Sequence, residues 1–97
     1  MLTIRFQGLR IIATYAASEE ILEEGKTLNF IKKALEEGYD APRKRKKNTI
    51  EIWLNRGRKI YNIVAVKDYN NDLKQNVWLI IHFGKFGRKW NATNALN

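Results

Sequence analysis

Ninety-seven residues, a formal charge of +8, 44% hydrophobic and 29% charged side chains describe one globular domain, and the lack of cysteine excludes a disulfide framework, a thiol nucleophile and thiolate metal sites. One histidine and few acids outside the helical stretches leave no evident ligand set, so neither metal nor cofactor is expected. No apolar run approaches the ~20 residues of a membrane span, and the N-terminus has no secretory pattern, so the reading is a cytoplasmic domain that does not enter a membrane.

In chain order, Leu2, Ile4 and Phe6 alternate with Thr3, Arg5 and Gln7, the period of a strand. Residues 2–14 read as extended, either one strand kinked at Gly8 or a hairpin about it; Leu9, Ile12, Ala13 and Ala16 would also suit a helix. From Ala16 the composition turns to Ala, Leu and Glu, and Gly25 offers a left-handed stop, so a first helix ends there. Thr27 can cap a second helix over Leu28–Glu37, with Gly38 stopping it in the same way. Leu28, Ile31, Ala34 and Leu35 form its buried face, flanked by Phe30, and its acids form a solvated face.

Pro42 disfavours helix at Ala41 and opens the run Arg43-Lys44-Arg45-Lys46-Lys47. Five like charges repel and make residues 41–48 a mobile basic loop, read as a solvated linker, a phosphate-contacting arm or a localisation-type signal. Three apolar runs follow, Ile50–Leu54, Ile60–Val66 and Val77–Phe83. Asn55-Arg56-Gly57 and the polar stretch Asp68–Asn76 separate them, which predicts an antiparallel meander. The expected fold is α+β: two short helices on one face of a twisted antiparallel sheet in the order β-α-α-β-β-β, a single domain over 1–97. Residues 84–97 read as a basic and aromatic C-terminal tail.

Strand parity sorts the faces. Ile50, Ile52 and Leu54 point to the helices; so do Tyr61, Ile63 and Ala65, because Asn62 would be costly in an apolar core. Strict alternation in the last strand puts Val77, Leu79, Ile81 and Phe83 inside, and Trp78, Ile80 and His82 outside. The open face then gathers Trp53, Arg58, Asn62, Trp78 and His82, with Val64 and Val66 at one end.

Charge points to a partner. Residues 1–40 carry five Lys/Arg against seven Asp/Glu, whereas residues 41–97 carry thirteen against three. So basic a half draws polyanions, and nucleic acid, RNA before DNA, is the expected partner. Rings beside cations suit base stacking with phosphate neutralisation. The candidate binding residues are Arg43, Lys44, Arg45, Lys46, Lys47, Trp53, Arg56, Asn62, Trp78, Arg88, Lys89 and Trp90. His82 could act as base or acid in RNA cleavage, with Arg58 or Lys85 stabilising the phosphorane. A structural histidine on a binding-only surface is the alternative. Exposed Trp53, Trp78, Val64 and Val66 could instead form a homodimer interface.

The segments Ser18–Gly25, Leu28–Gly38, Arg56–Val64 and Val77–His82, in this order on a basic chain, resemble the RelE-like toxin ribonuclease superfamily, in particular its BrnT-like branch. The resemblance covers about two thirds of the chain and is one of pattern. It implies a metal-independent endoribonuclease toxin working through an open sheet face, with Arg58, His82 and Lys85 as working residues and an antitoxin as partner.

Overall fold

A computed structural model describes residues 3–87. Two strands come first, β1 (Arg5–Phe6) and β2 (Leu9–Ala13), followed by α1 (Tyr15–Glu23) and α2 (Leu28–Glu37). A two-residue β3 (Tyr39–Asp40) then precedes three long strands: β4 (Thr49–Arg56), β5 (Lys59–Asn70) and β6 (Gln75–Gly87). The α+β class is as the sequence predicts. The strand order is richer: six strands run β1-β2-β6-β5-β4-β3, and the sheet is mixed because β2 lies parallel to β6 while the other pairs are antiparallel.

The extended N-terminal region resolves as a hairpin. Gln7 and Gly8 both hold positive φ, the geometry of a tight turn whose twist matches that of the strands. Thr14 ends β2, and its side-chain oxygen accepts from the Ala17 N–H, starting α1 one residue before the predicted Ala16. Gly25 at φ +67 is the expected left-handed stop. Thr27 caps α2 through the Phe30 N–H, and the helix spans Leu28–Glu37 as predicted. Gly38 ends it for another reason. Its φ is −77, but a Cβ there would lie 2.5–2.7 Å from Ile52 Cγ2, Trp53 O and Ala34 O, so the residue is small because α2 presses on β4.

The helices cover one face of the sheet. Ile31, Ala34 and Leu35 of α2 and Ala17 and Ile21 of α1 meet Ile52, Leu54, Tyr61, Ile63 and Ala65, the predicted inward set of β4 and β5. Tyr61 stacks on Phe83 at 5.6 Å, with Phe30 edge-on to both.

The parity of β6 departs from strict alternation. Val64 pairs with His82 and Ala65 with Ile80, so Ile81 is an extra residue forming a β-bulge. One inserted residue exchanges the faces on its N-terminal side. Phe83 stays in the core, but Trp78 and Ile80 join it there, while Val77 and Leu79 turn to the other face and Ile81 is 40% exposed. Trp78 is therefore a core residue packed on Phe6, not a surface platform. Among the described residues no helix is long and apolar enough to cross a membrane.

Candidate functional site

The second face of the sheet is a grid fixed by register. Glu51, Val64 and His82 lie in one row across β4, β5 and β6; Trp53, Asn62 and Gly84 form the next; Asn55, Ile60 and Phe86 the third. Two strand spacings separate the ends of each row, roughly 10 Å.

Glu51 anchors one side of this face. Only 4% exposed, it accepts from Arg43 Nε and Nη2 at 2.9 and 2.8 Å, from Arg45 Nε at 2.9 Å and from Trp53 Nε1 at 2.8 Å. Arg45 Nη2 approaches at 2.7 Å. Burial alone would raise this carboxyl's pKa, but the bonds from Arg43, Trp53 and Arg45 outweigh it and hold the pKa at about 2. The basic loop is thus docked onto the sheet through two of its five cations. Lys44, Lys46 and Lys47 stay exposed, without a carboxylate partner among the described residues. An open depression of about 600 Å³ lies beside the clasp, lined by Pro42, Arg43, Lys44, Arg45, Thr49 and Glu51 among others.

Trp53 shares the predicted face but is buried there, edge-on to Phe86 at 5.0 Å and to Tyr39 at 6.4 Å, and packed with Ala41 and Ile60. It offers no free ring to a base. Val64 is buried as well, so the apolar patch of Trp53, Trp78, Val64 and Val66 expected at a homodimer interface does not exist in that form.

His82 anchors the opposite side. Its side chain is 45% exposed, and Nδ1 lies 3.1 Å from Glu20 Oε2. β2 pairs with β6 only as far as Ile80, which leaves the edge of β6 open beyond it. α1 runs along that opening, and Glu20 Oε1 accepts from the Phe83 N–H at 3.0 Å. One carboxylate therefore seals a strand edge and orients an imidazole. Nothing in the sequence pairs Glu20 with His82; the contact exists because β2 delivers α1 to that edge.

The other proposed catalytic residues are elsewhere. Arg58 sits in the tight turn between β4 and β5, beside Gly57 at φ +60, and is not on the middle strand as expected. The row of His82 crosses β5 at Val64, six positions further on, roughly 20 Å away. Lys85 pairs with Tyr61 on the helix side, and its Nζ lies 2.7 Å from Glu24 Oε1. That hydrogen bond raises the ammonium's pKa and keeps Lys85 protonated, but on the face opposite His82 and engaged by Glu24. Arg56 is spent on Glu37 at 3.2 Å. Gly84–Gly87, assigned to a tail by the sequence, complete β6; Arg88, Lys89 and Trp90 lie outside the described residues.

Between the two anchors is a notch. Asn62 is as predicted on the second face, only 8% exposed, and its carboxamide has no hydrogen-bond partner among the described residues. Across from it is Gly84, where a Cβ would meet Asn62 Oδ1 at 3.0 Å and His82 Nε2 at 3.1 Å.

No family model, curated protein or solved structure matches this chain. The functional reading therefore rests on the chemistry of this face.

Proposed function

We propose that the chain is a nucleic-acid-binding domain that grips the phosphate backbone, of RNA before DNA, with the Glu51-anchored basic arm. One observation carries the reading. A buried carboxylate spends two arginines to fix the arm, leaving Lys44, Lys46 and Lys47 exposed and without acid partners among the described residues. Cations so displayed neutralise phosphates and release counterions. The test is fluorescence anisotropy with a single-stranded oligoribonucleotide over a salt series, beside the triple variant Lys44→Ala, Lys46→Ala, Lys47→Ala. Each lost phosphate contact should lower the slope of log K against log salt by about 0.7, hence about 2 in all. An unchanged slope rejects the arm.

A second reading, the metal-independent endoribonuclease of the RelE-like resemblance, is favoured by the Glu20–His82 pair alone. Glu20 holds Nδ1 and leaves Nε2 facing the notch, the orientation needed by a base toward a 2′-hydroxyl. Arg58 and Lys85 take no part in this version, and an antitoxin partner belongs to it. End-labelled RNA incubated in EDTA decides it: fragments that vanish with His82→Ala support cleavage, and intact RNA leaves the binding domain.

A further inference from the structure

We infer that the Gly84 notch is a base-reading site, which takes the amino-bearing edge of an unpaired adenine or cytosine from a strand held by the arm. The inference rests on the nucleic-acid reading above and adds to it what is recognised.

Three features built by different strands converge on the notch. Gly84 of β6 has ordinary φ, so neither a turn nor backbone strain requires glycine; a Cβ would fill the space against Asn62 and His82. The residue is itself partly exposed, so the notch opens to solvent. Asn62 of β5, a residue more than nine-tenths buried, brings to its wall a carboxamide with no hydrogen-bond partner among the described residues. Its polar atoms are not sealed from solvent, so a ligand can reach both the donor and the acceptor. His82 supplies the third side. The Glu20 carboxylate 3.1 Å from Nδ1 favours the proton on that nitrogen, which leaves Nε2 as an acceptor at the notch.

The chemistry of the walls selects the ligand. A carboxamide offers an acceptor and a donor side by side, and its complement is an amino group next to a ring nitrogen. Adenine has such an edge at N6 and N7, and cytosine at N4 and N3. The second amino hydrogen can then reach the acceptor on His82. Uracil has a carbonyl where this site needs an amine and would leave Nε2 facing oxygen. The arm docks on Glu51, in the same row as His82 and roughly 10 Å from it. A strand whose phosphates lie on Lys44, Lys46 and Lys47 thus has a base within reach of the notch, and unstacked single-stranded bases are the usual targets of edge recognition in RNA.

The experiment compares oligo(A), oligo(C) and oligo(U) ribonucleotides of equal length by anisotropy at one salt concentration. Wild type should bind oligo(A), oligo(C) or both about tenfold more tightly than oligo(U), the scale of one bidentate base contact. Gly84→Ala should bring the three affinities together by filling the notch. Asn62→Leu, which removes the carboxamide and keeps the branched shape, should do the same and gives the answer if the alanine variant does not fold. Equal affinity of wild type for all three, or discrimination that survives in both variants, overturns the base site and leaves the arm standing. An absence of RNA binding by wild type overturns the base site and the nucleic-acid reading together.

Discussion

Two carboxylates meet the second face of the sheet from opposite sides and use the same functional group differently. Glu51 lies on β4, is almost wholly buried, and faces two guanidiniums and an indole N–H. Glu20 lies on α1, is partly exposed, and divides itself between one backbone N–H and one imidazole. The first is saturated: its partners are consumed in holding a loop. The second is incomplete, because the ring it holds keeps a nitrogen free. A buried, fully partnered charge builds a scaffold, whereas a half-solvated pair keeps chemistry available to a ligand.

The contrast can be broken at its strong end first. Glu51→Gln leaves Arg43 and Arg45 facing a neutral group and should lower stability by about 3 kcal/mol, read as a shift in urea midpoint. Acid should produce the same loss in the unaltered protein. The folded carboxyl has its pKa near 2 against an ordinary 4.5, so the unfolded chain binds more protons between those values. The stabilisation is full above about pH 4.5 and fades as pH falls toward 2, by roughly 3 kcal/mol in all. Urea midpoints measured from pH 6 to pH 2.5 should fall, and the fall should be shallower in Glu51→Gln.

A comparison of neighbours in β6 tests the bulge. Ile80 is 0% exposed and Ile81 40%. Ile80→Ala should be destabilising by about 2–4 kcal/mol, and Ile81→Ala by less than about 1 kcal/mol. Equal costs in thermal melts would mean that the β6 register is wrong. At the weak end, Glu20→Gln retains an oxygen for the Phe83 N–H and should change stability by no more than about 1 kcal/mol. It should nonetheless reduce base discrimination, because His82 loses the group that fixes its tautomer. Anisotropy with oligo(A) and oligo(U) checks the second half of that expectation.

Much of the fold was legible because periodicity reports burial directly. α2, its Thr27 cap, and the inward sets of β4 and β5 follow from spacing alone. The β6 error has a definite origin: Ile81 is as apolar as its neighbours, so a bulge that exposes it leaves no mark in composition. That single residue put Trp78 on the wrong face. Parity placed Asn62 correctly, but nothing local shows the clasp that Glu51 forms, because Arg43 and Arg45 read simply as members of a cationic run. The Glu20–His82 contact joins residues 62 positions apart (82 − 20), and no local pattern encodes it. Arg58 shows the opposite limit: it borders an apolar run closely enough to be counted in the strand, yet Gly57 beside it makes the turn.

The parallel pairing of β2 with β6 also determines when the face can come into being. Arg10 must find Val77, and Ala13 must find Ile80, a closure that spans most of the described chain and adds a slow, non-local step to folding. The β4–β5 hairpin and the Glu51 clasp need only local chain, so the basic arm can take shape early. The notch cannot, since α1 reaches the β6 edge only after β2 has docked. On the proposed reading, a nascent or partly unfolded molecule would therefore hold RNA without reading it, and selectivity would mark the finished fold.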